Sequence, residues 1–151
     1  MIDATTFNVA GACASPHAVA VQLPALSSIG TLSVASTTTP CAIAFSAPKL
    51  ATAFSAGFGS GVTSVTLGVP LTVTTVLQFV STNITALSLP QLSADILQIN
   101  TNASLVTVSG GGGQVTNRII IQNNPLLPTG LAISFANSFN PHGNLFISGN
   151  G

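Results

Sequence analysis

The 151-residue chain has almost no charge. Asp3, Lys49, Asp95 and Arg118 are its only acidic and basic side chains besides two histidines, 3% of the residues, against roughly 25% in an average soluble protein. This scarcity excludes whole classes of partner. Phosphate backbones are held by clusters of Lys and Arg, and the two cations here stand far apart, so nucleic acid is not expected. The same shortage removes electrostatic attraction to an anionic membrane surface. Long apolar runs are also missing. Stretches such as Ala18–Val21 are broken within a few residues by Gln, Pro, Ser or Gly, far short of the roughly 20 residues of a membrane-spanning helix. Membrane insertion is therefore not expected. Residues 1–15 carry Asp3, no basic residue and no long apolar stretch, and so do not read as a signal peptide.

Groups that carry chemistry are equally sparse. His17 and His142 are the only histidines, and Asp3 and Asp95 the only carboxylates. General acid–base catalysis needs such groups side by side, and a glycosidase needs a carboxylate pair. Distances in sequence place the histidines at opposite ends of the repeat described below and the two carboxylates similarly far apart, so no enzymatic activity is expected. Cys13, His17 and Cys41 would make an incomplete zinc set, with the fourth ligand missing, and no cofactor is implied. Cys13 and Cys41 could form a disulfide across the first coil or remain two buried thiols, since free Cys packs as a small hydrophobe.

What the chain does have is 46% hydrophobic residues arranged with a period. Val21, Ile43, Val65 and Leu87 each open an apolar-x-apolar triplet and are spaced 22 residues apart. A fixed period of 20–30 residues is the signature of a solenoid. A second set of triplets runs out of phase with the first: Leu32-Ser33-Val34, Phe54-Ser55-Ala56, Leu77-Gln78-Phe79, Leu97-Gln98-Ile99, Ile119-Ile120-Ile121 and Leu145-Phe146-Ile147. Later triplets of the first set are Val106-Thr107-Val108 and Ile133-Ser134-Phe135. Alternation over so few residues is the mark of strands with one face buried. The pattern predicts an all-β, right-handed parallel β-solenoid of about six coils, with two short strands per coil. Residues 1–17 are expected to form an N-terminal cap or arm, and 18–151 a solenoid open or incomplete at its C-terminal end.

Punctuation supports this reading. Leu23-Pro24-Ala25-Leu26, Ala47-Pro48-Lys49-Leu50, Val69-Pro70-Leu71 and Leu89-Pro90-Gln91-Leu92 read as turns whose last Leu returns to the core. Asn83, Asn102 and Asn124 recur between strands, where Asn tolerates left-handed backbone and bonds nearby peptide groups. Gly110–Gly113 replaces the Pro-Leu turn in one coil and reads as a local loop or insertion; a phosphate-cradling loop would need a Lys and a following helix. Asn83-Ile84-Thr85 and Asn102-Ala103-Ser104 fit the glycosylation acceptor pattern, as chance allows in so Asn- and Thr-rich a chain.

Ile84-Thr85-Ala86-Leu87-Ser88-Leu89-Pro90-Gln91-Leu92, the run Leu97-Gln98-Ile99-Asn100-Thr101-Asn102-Ala103-Ser104-Leu105 and Ile121-Gln122-Asn123-Asn124-Pro125-Leu126 together resemble the irregular leucine-rich repeats of receptor L-type domains and bacterial surface proteins. The likeness is clearest over 76–150. It implies a right-handed solenoid with parallel sheets that acts by contact. The missing charge and the Gly110–Gly113 interruption depart from the family, and no ligand residue carries over.

If triplet ends point inward, the middle residues form outward rows. On one face these are Ser33, Ser55, Gln78, Gln98, Ile120 and Phe146, a flat and uncharged candidate contact face with strands roughly 4.8 Å apart. The expected function is a non-catalytic structural or adhesive surface component, such as a virion, fibre or cell-surface appendage subunit. Its expected partners are other protein subunits, in a homo-oligomer or larger assembly, and its expected location is extracellular, on a cell or virion surface. The alternative is a secreted carbohydrate-binding module that holds a surface glycan.

Overall fold

The computed structural model describes residues 2–12, 17–38 and 41–151, with the side chains of 2–4, 11, 12, 37 and 38 excepted. The chain forms twelve strands and one helix among these residues. The strands are β1 (Ile2–Ala12), β2 (Ala18–Gln22), β3 (Leu26–Thr38), β4 (Ala42–Ala47), β5 (Thr52–Phe58) and β6 (Val62–Leu67), then β7 (Leu71–Val80), β8 (Ala86–Pro90), β9 (Leu92–Asn100), β10 (Thr107–Gly111) and β11 (Gln114–Gln122). Helix α1 (Thr129–Asn137) and strand β12 (His142–Ser148) follow.

The fold is a parallel β-solenoid of about six turns, with a period of about 22 residues. The odd-numbered strands and β12 build one seven-stranded sheet in the order β1-β3-β5-β7-β9-β11-β12. The other even-numbered strands form the opposite wall in two pieces, β2-β4-β6 and β8-β10. All recorded pairings are parallel. Residues 2–12, within the expected cap or arm, form β1 and pair with β3 at the end of the large sheet.

Between the walls runs one continuous apolar core. Leu32, Val34, Phe58, Leu77, Phe79, Leu97, Ile99, Ile119 and Ile121 are buried from one side, and Ile43, Phe45, Leu87, Leu89 and Val108 from the other. Each full burial of a Leu or Phe stabilises by about 1.5–3 kcal/mol. Phe45, Phe58 and Phe79 form an aromatic column, with ring centroids 5.5 and 5.1 Å apart. The Pro turns behave as expected: Leu26, Leu50, Leu71 and Leu92 are all buried, and the amides of Leu26 and Leu50 close tight turns onto Leu23 O and Ala47 O.

The large sheet bends once along every strand, and this bend overturns one expected register. At the corner stand Gly30, Phe54, Thr74-Thr75, Asp95, Thr116-Asn117 and Gly143, which are skipped in the pairing between neighbouring strands. Ile29 and Leu32 are both inward, separated by two residues instead of one, so the alternation slips at the bend. Phe54 therefore points outward and is 57% exposed. The inward triplet of β5 is Ala56-Gly57-Phe58, paired with Leu32, Ser33 and Val34. Val106, expected inward, is likewise 45% exposed, and Val108 pairs with Leu87.

A second correction concerns Ile133-Ser134-Phe135. This stretch lies in helix α1, where a strand of the second wall was expected. Phe135 and Ala136 still face the core, while Ile133 is 43% exposed. The helix follows Pro128, the N-cap residue, whose carbonyl accepts from the Leu131 and Ala132 amides. Its apolar contacts at Ala132, Phe135 and Ala136 recur at three- and four-residue spacing, the helical period that a three-residue triplet is too short to reveal. Phe139 packs edge-on against Phe135 at 5.2 Å.

Candidate contact face

The outward surface of the large sheet beyond its bend is set by register. Its central row runs Asn8, Ser33, Gly57, Gln78, Gln98, Ile120 and Phe146, each paired with the next. Five of the six expected face residues thus share one row. Ser55 belongs to the neighbouring row, paired with Thr31, and its hydroxyl donates to Thr31 Oγ1 at 3.4 Å. Gly57 takes its place. A Cβ there would meet Gln78 Nε2 at 3.0 Å, so the Gln78 side chain lies across the glycine and keeps the face flat.

Flanking rows widen the surface. Val76, Ile96, Arg118 and Asn144 line one side, and Val80, Asn100, Gln122 and Ser148 the other. The second row is tied together by hydrogen bonds. Asn123 Nδ2 and Thr101 Oγ1 donate to Asn100 Oδ1 at 3.3 and 3.0 Å, and Gln122 Nε2 donates to Ser148 Oγ at 3.0 Å. Phe146 is 46% exposed. The face is a mixture of aliphatic, amide and hydroxyl groups with a single formal charge, that of Arg118.

A shallow cleft of about 140 Å³ opens on this face, lined by Arg118, Ile120, Gln122 and Phe146. Same-face alternation along β11 places Arg118 and Gln122 on either side of Ile120. That alternation is present in the sequence, but the triplet centres alone include neither residue. A larger open depression of about 300 Å³ lies on the turn side, among Pro48, Lys49, Gly68, Val69 and Pro70.

Beside the contact face, the corner asparagines form a buried ladder. Asn102 and Asn124 are fully buried. Asn102 Oδ1 accepts from Thr82 N and Oγ1, Asn124 Oδ1 from Asn102 N and Nδ2, and Asn150 Oδ1 from Asn124 N and Nδ2, all at 2.7–3.2 Å. The amides of Asn102, Asn124 and Asn150 donate in turn to Phe79 O, Ile99 O and Ile121 O. Each rung follows a residue of positive φ: Ser81, Thr101, Asn123 and Gly149. Asn83 is not a rung; it is exposed, and Thr82 stands one residue earlier in its place. Asn102, within the second acceptor pattern, has its side chain committed to the ladder.

The remaining candidates lie apart. His17 precedes β2 and His142 opens β12, at opposite ends of the stack. Asp95 sits at the corner and accepts from Thr116 Oγ1 and Asn117 Nδ2 at 3.2 and 3.4 Å. Cys13 lies outside the described residues. Cys41 is buried and is not a free thiol. Among the described residues no three His, Cys, Asp or Glu side chains converge, and no helix is long and apolar enough to cross a membrane.

Comparison with known proteins adds no relative: no family model, no curated protein and no solved structure matches the chain.

Proposed function

We propose that the chain is a non-catalytic structural or adhesive surface component, an extracellular, cell-surface or virion-surface subunit that works through the flat face of its large sheet. The observation that carries this reading is the composition of that face. Val76, Ile96, Ile120 and Phe146 stand outward beside Gln78 and Gln98, in register and almost without charge. Solvated strands usually carry charges on the outside, and a flat apolar–amide surface rimmed by hydroxyls is suited to contact. The likeness to irregular leucine-rich repeats supports the same role, because such repeats act by contact.

Native mass tests this reading, measured by light scattering after chromatography. A multimer is expected. Lys at both Val76 and Ile96 (V76K with I96K) should return it to a monomer with an unchanged far-UV circular dichroism spectrum. A wild-type chain that stays monomeric up to high concentration overturns the proposal.

A further inference from the structure

Arg118 is exposed on β11, and its guanidinium has no hydrogen-bond or ion-pair partner among the described residues. The neighbouring carboxylate, Asp95, is one residue from Ile96, the cross-strand partner of Arg118, but its oxygens are engaged by Thr116 and Asn117. A lone guanidinium on an otherwise uncharged face offers a planar fork of donors, which matches a carboxylate in bidentate fashion.

The rest of the cleft offers an apolar floor and amide groups of the kind that meet a sugar ring. Residues two apart on a strand are about 6.6 Å apart, so Arg118 and Gln122 flank a floor made by Ile120 and its cross-strand partner Phe146. Phe146 exposes an aromatic surface, on which the C–H face of a pyranose packs as other apolar groups do. Gln122 is oriented by its bond to Ser148 Oγ, and its amide oxygen remains an acceptor for a hydroxyl. At about 140 Å³ the cleft is smaller than the roughly 300 Å³ of an ordinary small-molecule pocket, which suits one ring of a longer chain. Gln98 and Gln78 continue the floor beyond it, with amides able to meet further hydroxyls. A single cation excludes polyphosphates, which need several.

We propose that the cleft of Arg118, Ile120, Gln122 and Phe146 is a subsite for an acidic sugar, a uronate or sialate residue of an oligosaccharide, with Arg118 holding the carboxylate. The inference rests on reading this surface as a contact face and names one ligand class for it.

The test is direct binding to a panel of uronate- and sialate-containing oligosaccharides, alongside the same compounds with their carboxyls reduced to alcohols. At least one acidic compound should bind saturably. Affinity should fall at least tenfold for its reduced analogue, and by a similar factor for Arg118→Gln and for Phe146→Ala. Retained circular dichroism and melting temperature keep these variants interpretable. Binding to none of the acidic compounds overturns the proposal, as does equal binding of the reduced analogue or of Arg118→Gln. Native mass is read separately, so assembly can fail while the sugar site stands, and the reverse.

Discussion

At the scale of single residues, the asparagine ladder is the most demanding feature of the molecule. A buried amide has two donors and an acceptor to satisfy, and leaving one unpaired costs about 1–3 kcal/mol. Asn124 joins two rungs and the Ile99 and Gln122 carbonyls. Asn124→Ala would strand Asn102 N, leave Asn102 Nδ2 with Phe79 O alone, and take from Asn150 Oδ1 one of its two donors and from the Ile99 carbonyl its side-chain donor. The expected loss is about 3 kcal/mol, measured as a shift in the urea midpoint at constant m. A loss below about 0.5 kcal/mol would mean that water replaces the rung. Asn102 and Asn124 were legible in the sequence from their spacing. Thr82 and Asn150 were not, because the ladder steps of 20, 22 and 26 residues drift from the period, and because a Thr can supply the same donor as an Asn.

At the scale of elements, the strands follow from alternation and the corners from small residues. Gly113 lies where β10 turns into β11, and a Cβ there would run into the Leu92 carbonyl. Gly130 lies in the first turn of α1 with nothing within 4 Å of such a Cβ. The two sites should therefore respond with opposite sign. Gly113→Ala is expected to destabilise by about 2 kcal/mol or more through displaced backbone. Gly130→Ala should stabilise by about 0.5–1 kcal/mol, since Ala costs less backbone entropy in a helix. Denaturation of both variants checks the pair, and a destabilising Gly130→Ala would contradict the open space beside it. The glycine run reads in the sequence as a local loop, but only Gly112 and Gly113 form one, since Gly110 and Gly111 close β10. The sequence did not reveal the bend of the large sheet, because strict alternation assumes a straight strand. At the bend Thr75 Oγ1 donates to Phe54 O at 2.7 Å, and the slipped register sends Phe54 outward. Helix α1 was missed for a related reason: its inward Phe135 fits a strand pattern and a helix pattern equally well over three residues.

At the scale of the whole molecule, a solenoid is a stack in which each coil contacts only its neighbours, so its stability is nearly a sum of local terms. Strands β7 and β9 are paired on both sides, and their inward residues Leu77, Phe79, Leu97 and Ile99 are fully buried. Among the described residues, strands β1 and β12 are each paired on one side only, and Phe7, Val9, Leu145 and Ile147 are partly buried. Central coils therefore have two interfaces to lose on opening and edge strands one. Hydrogen exchange read by mass spectrometry should show protection falling from β7 and β9 outward, with β12 among the first segments to exchange. In the multimer of the proposed function, segments on the contact face should gain protection relative to the V76K/I96K double variant. The asparagine ladder ties the ends of β7, β9, β11 and β12 into one hydrogen-bonded column, so Asn124→Ala should weaken the coupling of β12 to the coils before it and steepen the gradient at that end. Uniform protection in the wild type, unchanged in that variant, would mean that the stack opens only as a single cooperative unit and that the ladder adds stability without dividing it by position.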